Sequence, residues 1–154
     1  MQAPVTLTRR YRFAASHRLN TDALSAQENA RLYGKCNNPF GHGHDYVLDV
    51  TVAGPLDSSG QIANREALDA LVETQVLARL DHRNLNCDVP ELAGRVPTTE
   101  NLSSAIERML TSHWTLPATL ARVRVSETAR NTFELTTGER TTGERTTGER
   151  TAKN

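Results

Sequence analysis

His42 and His44 lie two residues apart in an alternating segment. An extended backbone there projects both imidazoles from one face, about 7 Å apart along the chain. His17 ends a second alternating segment, on the parity of its apolar residues. Three neutral imidazoles around an open fourth position are how proteins build a catalytic zinc site. Gly41 and Gly43, on either side of His42, leave room for a metal or ligand close to the backbone. The plain alternative is a pair of strand histidines at a sheet end, and His17 on a compatible face weighs against it.

Cys36 precedes His42 by six positions, within Cys36-Asn37-Asn38-Pro39-Phe40-Gly41. It has three readings: a fourth ligand closing a structural site, a thiolate base or nucleophile beside an open one, or an inert buried thiol. Spacing alone does not choose among them. Asp81-His82 sets a carboxylate next to an imidazole in a polar stretch; a helix C-terminus followed by a surface histidine is its simplest explanation. Glu127 continues the parity of Val123 and Val125, which points a carboxylate inward, where it needs a basic or N–H-bearing partner. A strand-end carboxylate in water is the competing reading. His113 and Cys87 show no pattern.

The elements that must position these groups follow from periodicity. Residues 5–17 alternate, with Val5, Leu7, Tyr11, Phe13, Ala15 and His17 on one parity, and residues 42–52 do the same. Asn64 is placed to cap a helix to about Arg79, and a second helix is expected from about Thr99 to Leu110, with Leu102, Ala105, Ile106, Met109 and Leu110 in one stripe. Residues 80–97 read as a loop, and 120–127 and 132–135 as strands. The order β-β-α-α-β-β predicts an α+β sheet covered by helices on one face.

Five motifs recur in order: Phe13-Ala14-Ala15-Ser16-His17-Arg18-Leu19, Cys36 through Tyr46, Leu80-Asp81-His82-Arg83-Asn84-Leu85-Asn86, Pro97-Thr98-Thr99-Glu100-Asn101-Leu102, and Glu127-Thr128. In this order and at these separations the chain resembles the 6-pyruvoyl-tetrahydropterin synthase family, which includes the 6-carboxy-tetrahydropterin synthases of queuosine biosynthesis. The resemblance spans about residues 7–135. It implies Zn2+ on His17, His42 and His44, with Cys36 as catalytic base rather than ligand. It implies that Asp81 and His82 form a proton relay, that Glu127 anchors the pterin, and that Thr98 and Glu100 line the pterin pocket. The implied fold is a four-stranded antiparallel sheet with two helices on one face (a T-fold). Sheets from three subunits would join into a barrel, and two trimers would stack into a homohexamer with sites between subunits.

The implied reaction is a zinc-dependent lyase step, converting 7,8-dihydroneopterin triphosphate to 6-pyruvoyl-tetrahydropterin with release of triphosphate. The five residues between Cys36 and His42 resemble the spacing of this branch. The alternative is the 6-carboxy-tetrahydropterin synthase reaction, which releases acetaldehyde and triphosphate from the same substrate. Arg9, Arg10, Arg12, Arg18 and Lys35 are candidates to hold the triphosphate. A non-enzymatic zinc or pterin binder is a third reading, but it has no need of Cys36, Asp81 and His82.

Bulk properties agree. The 154 residues fit one domain, placed at about 1–135. Eighteen acidic and eighteen basic residues give a formal net charge of zero, which speaks against nucleic acid or an anionic membrane as partner. Two cysteines, no run of about 18 apolar residues and no signal-like start lead to the expectation of a cytoplasmic protein. From Thr136 the pentad TTGER occurs three times, followed by TAKN, with Ala152 the one apolar residue. That composition predicts a flexible tail over 136–154.

Overall fold

The computed structural model describes residues 5–137; most of the predicted tail, 138–154, lies outside them. The chain forms β1 (Val5–His17), α1 (Ala26–Tyr33), a 3-10 turn (Gly34–Asn37) and β2 (His42–Gly54). Next comes α2 (Arg65–Val72), which passes through a π-helical turn (Glu73–Leu77) into a last α turn (Ala78–Leu80). The two-residue β3 (Arg83–Asn84), α3 (Thr99–Thr111), β4 (Thr119–Thr128) and β5 (Asn131–Thr136) follow.

The sheet order is β3-β1-β2-β4-β5. β1, β2, β4 and β5 pair antiparallel, whereas β3 runs parallel to β1 through Ala15↔Arg83 and Ser16↔Asn84. The expected four-stranded antiparallel sheet is therefore a five-stranded mixed one, and three helices replace the expected two. Both additions escape periodicity for a physical reason. β3 is too short to alternate, and it is pulled onto β1 by His82 N–H to Ala14 O (2.6 Å) and Leu85 N–H to Ser16 O (2.8 Å). α1 buries only Asn29, so it shows no apolar stripe.

One face of the sheet carries the core. Phe13 and Ala15 of β1, Tyr46, Leu48, Val50 and Val52 of β2, and Leu120, Val123 and Val125 of β4 are buried there. α2 contributes Leu68, Val72, Val76 and Leu80, and α3 contributes Leu102, Ala105, Ile106, Met109 and Leu110. Steps of four residues over-rotate an ordinary α-helix; the wider π turn absorbs the drift and keeps Val76 and Leu80 inward. Asn64 caps α2 by accepting the Ala67 N–H (3.1 Å), as expected. Deleting one of these buried leucines to Ala would cost about 2–5 kcal/mol. Among the described residues, no helix is long and apolar enough to cross a membrane.

Register carries this pattern to the site. His42 pairs with His17 and His44 with Ala15, so the three imidazoles share the core face at one end of the sheet. Gly41 closes the turn before β2 with φ +78, and a Cβ there would stand 3.0 Å from the His17 carbonyl oxygen. Only glycine fits both constraints.

Candidate active site at the end of the sheet

Four side chains converge at the histidine end: ligand atoms of His17, Cys36, His44 and Glu127 all lie within 4.8 Å of one another. His44 Nε2 is central, 3.1 Å from His17 Nε2, 3.0 Å from Glu127 Oε1 and 3.6 Å from Cys36 Sγ. Each residue comes from a different segment. His17 ends β1, and Cys36 is held by Leu19 N–H donating to its carbonyl (2.7 Å). Glu127 sits where the β4–β5 register slips between Ser126 and Thr128, an irregularity of the kind that re-aims a side chain.

The donor set fits a cation. His17 Nδ1 lies 3.0 Å from the Pro97 carbonyl, which can only accept, so Nδ1 carries the proton and Nε2 presents a lone pair. One His44 Nε2 proton cannot serve both the His17 Nε2 lone pair and the Glu127 carboxylate. Two nitrogens on one tetrahedral zinc stand about 3.3 Å apart, from bond lengths of about 2.0–2.1 Å. The observed 3.1 Å between His17 Nε2 and His44 Nε2 is close to that edge. Burial also lowers the pKa of His17 and of His44, which keeps both imidazoles in the neutral, metal-binding form. Burial, and then the charge of Glu127, push the Cys36 thiol up, so a thiolate there needs a compensating cation.

His42, expected as the third imidazole ligand, is adjacent but outside this four-residue group. Its ring centroid lies 4.3 Å from that of His44, edge to face. Glu127 turns inward as its parity predicts, with a side chain 14% exposed, and its second carboxylate oxygen accepts the Thr99 hydroxyl.

The residues expected at the pterin pocket lie at the start of α3. Thr98 caps α3, accepting Asn101 N–H (3.2 Å), and Glu100 is exposed one position on. Thr99, not singled out by sequence, is buried and reaches Glu127. Tyr46 was also missed; it stacks on Phe13 at 5.0 Å and sets its hydroxyl 3.4 Å from His17 Nδ1. Its place between His44 and Leu48 on the inward parity was the available signal. The Pro97 carbonyl left none, because backbone groups have no sequence signature.

Asp81 and His82 form a pair, as their adjacency allows: His82 Nδ1 lies 3.2 Å from Asp81 Oδ2. Asp81 Oδ1 also accepts Ala14 N–H (2.9 Å), which fixes the pair on β1 rather than merely ending a helix. His82 has φ +58, uncommon for a side-chain-bearing residue, and is 83% exposed. It lines a cavity of about 510 Å³ together with Ser16, His44, Asp45 and Asn84. Of the expected phosphate-holding cations, Arg9 is bidentate to Asp69 and Arg10 to Asp49, while Arg18 donates to Asn37 O. Among the described residues, Arg12 and Lys35 make no such side-chain bond.

The model of the 6-pyruvoyl tetrahydropterin synthase family matches residues 6–138. A Drosophila melanogaster protein named 6-pyruvoyl tetrahydrobiopterin synthase is 43% identical over 132 residues, covering 84% of this chain and 79% of that one. A Halobacterium salinarum protein named probable 6-carboxy-5,6,7,8-tetrahydropterin synthase is 30% identical over 120 residues, 68% of this chain and 73% of that one. The solved Caenorhabditis elegans 6-pyruvoyl tetrahydropterin synthase superposes with a TM-score of 0.81 at 37% identity, covering 87% of this chain and 96% of its own. Sequence over most of the chain and backbone geometry thus agree on one ancestry: the chain belongs to the 6-pyruvoyl tetrahydropterin synthase family.

Proposed function

We propose that this chain is a zinc-dependent lyase that converts 7,8-dihydroneopterin triphosphate to 6-pyruvoyl-tetrahydropterin with release of triphosphate. The observation that carries the reading is the convergence of His17, Cys36, His44 and Glu127 on one point at the sheet end. The higher identity to a relative named for the pyruvoyl product than to one named for the carboxy product supports this branch.

His17, His42 and His44 would hold the zinc, with Cys36 beside it. Zinc supplies Lewis acidity toward an oxygen-rich substrate side chain. Glu127 binds the pterin by accepting its ring N–H donors through charge-assisted bonds, with Thr99 holding the carboxylate in place. Cys36 removes a proton from the substrate side chain, and the thiol's closeness to the imidazoles sets which proton it reaches. His82, oriented by Asp81, passes protons during tautomerisation. Lys35 and Arg12, uncommitted among the described residues, are the better candidates to hold the triphosphate, and Thr98 and Glu100, on either side of Thr99, would line the pterin pocket.

His82 projects from this chain's surface, which suits a site completed by a neighbouring copy. Among the described residues, most of β1 has no partner on its outer edge, and closing sheets into a ring removes such edges. A homohexamer of two stacked trimeric barrels, acting in the cytoplasm, is the assembly in keeping with this. The test is incubation of the zinc-loaded protein with dihydroneopterin triphosphate and identification of products by mass spectrometry. 6-Pyruvoyl-tetrahydropterin with triphosphate is expected. Stoichiometric acetaldehyde would assign the carboxy-forming reaction, and no turnover would overturn the enzymatic reading.

A further inference from the structure

Cys36 rides on an excursion of the chain that leaves β1 after His17 and returns to the sheet at His42. Between Asn20 and Gly41 a single residue, Asn29, is buried, and none belongs to the apolar core. α1 packs chiefly against the 3-10 turn that carries Cys36. Asn29 closes this arm on itself: its side-chain oxygen accepts Thr21 N–H (2.9 Å), and its Nδ2 donates to the carbonyls of Thr21, Leu24 and Ser25. The arm is a polar, self-contained unit, and apolar burial contributes little to its place against the sheet.

A short polar seam against Leu19, two residues beyond His17, fixes that place instead. Leu19 N–H donates to Cys36 O (2.7 Å). Asn37 Nδ2 donates to Leu19 O (2.8 Å) and to Asn20 Oδ1 (3.0 Å), and Arg18 Nε donates to Asn37 O (3.3 Å). Asn37 is party to all but one of these bonds. Arg18 is held in turn by Asn86, whose side chain accepts its N–H (2.7 Å) and donates to its carbonyl (2.8 Å). Residues 18 and 19 are therefore a fixed rail, and the arm is attached to it through Cys36 and Asn37. The two oxygens that Asn37 faces can only accept, so a carboxamide N–H pair suits the position and a carboxylate does not.

We propose that Asn37 is the positioning residue for Cys36: its carboxamide holds the arm against Leu19, which keeps Sγ 3.6 Å from His44 Nε2. The inference rests on the reading of Cys36 as the base beside the imidazoles. Each bond of the seam adds only modestly to net stability. Placement of a reacting group is steeper, since a displacement of about 1 Å can cost roughly 100-fold in rate. Loss of the seam is then felt in turnover far more than in folding.

The test uses the full chain loaded with zinc. Asn37→Asp keeps the side chain's size but turns an oxygen toward Leu19 O and Asn20 Oδ1, so it should lower kcat by about 100-fold. Zinc content and substrate KM should stay near wild type. Asn20→Ala removes one of the two acceptors and should fall between wild type and Asn37→Asp. Amide hydrogen exchange at Leu19, whose N–H is bonded to Cys36 O, should quicken in both variants, while the β1–β2 ladder at Tyr11 and Leu48 keeps its protection. Should Asn37→Asp fail to fold, Asn37→Ala replaces it, with the same split expected. Wild-type kcat in the Asn37 variant would overturn the proposal. So would a fall in kcat accompanied by loss of zinc and a raised KM, which would make Asn37 a general support of the site. A wild type that makes no product would sink the lyase reading instead, and exchange at Leu19 then decides: if it is unchanged in Asn37→Asp, the seam does not hold the arm.

Discussion

Glu127 joins two parts of the molecule: one carboxylate oxygen lies 3.0 Å from His44 Nε2, and the other accepts the hydroxyl of Thr99 in the first turn of α3. The residue proposed to bind pterin thus also touches the proposed metal cluster. Glu127→Ala should raise the substrate KM or Kd by about 10- to 100-fold, the loss of roughly 1.5–3 kcal/mol for hydrogen bonds to a charged group. Thr99→Val, which frees the carboxylate to turn, should show a smaller rise. Steady-state kinetics and pterin titration check both; unchanged affinity in Glu127→Ala would remove the anchor role.

The position of His42 beside, rather than within, the group of His17, Cys36, His44 and Glu127 makes ligand identity testable. His17→Ala, His42→Ala and His44→Ala should each empty a site that otherwise holds about one zinc per subunit. Cys36→Ala should keep its zinc and lose most turnover. Metal analysis after purification decides it: a Cys36→Ala protein without zinc and a His42→Ala protein with it would make Cys36 the ligand.

Asp81 accepts the Ala14 N–H as well as orienting His82. Asp81→Ala leaves that donor to water and should cost about 1 kcal/mol together with activity. Asp81→Asn keeps an acceptor at the same place, so it should retain most of the stability while kcat falls. Thermal melts alongside kinetics separate the two functions of the carboxylate.

The Arg10 guanidinium holds the Asp49 carboxyl below the usual value of 3.8, and the positive Arg124 and Arg122 add to this. A folded pKa below the unfolded one stabilises the ionised form. The contribution is complete above about pH 4 and disappears as pH falls through the folded pKa. With Arg10 62% exposed, it is worth about 1 kcal/mol or less. Urea denaturation between pH 6 and pH 2 should show a shallower acid decline for Asp49→Asn than for wild type; identical declines would dismiss the pair as a source of acid sensitivity.

His82 is exposed while Cys36 is partly buried in the donor cluster. If a site takes Cys36 from one chain and His82 from another, mixing inactive Cys36→Ala and His82→Ala subunits should restore part of the activity. Mixed oligomers, verified by mass, that stay inactive would show that each site is built from one chain.

The sequence by itself determined β1, β2, α2, α3, β4 and β5, though not α1 or β3, and the side of the sheet each functional residue occupies. Strand alternation is local: burying one face of β1, β2 and β4 requires apolar residues at every second position, so His17, His44, Tyr46 and Glu127 declare their face through Phe13, Leu48 and Val125. Helix caps are local as well, and Asn64 acts where the apolar stripe of α2 begins. What stayed hidden depends on partners far along the chain. Asp81 is fixed by Ala14, His17 by the carbonyl of Pro97, and Glu127 by Thr99, across separations of 67, 80 and 28 residues. The motif containing Thr98 and Thr99 was visible, but the tertiary structure decided which threonine caps α3 and which reaches Glu127. Only the β1–β2 register and the slip at Glu127 bring four donors to one point. Such a meeting is fixed by long-range packing and backbone hydrogen bonding, which leave no periodicity in any one segment.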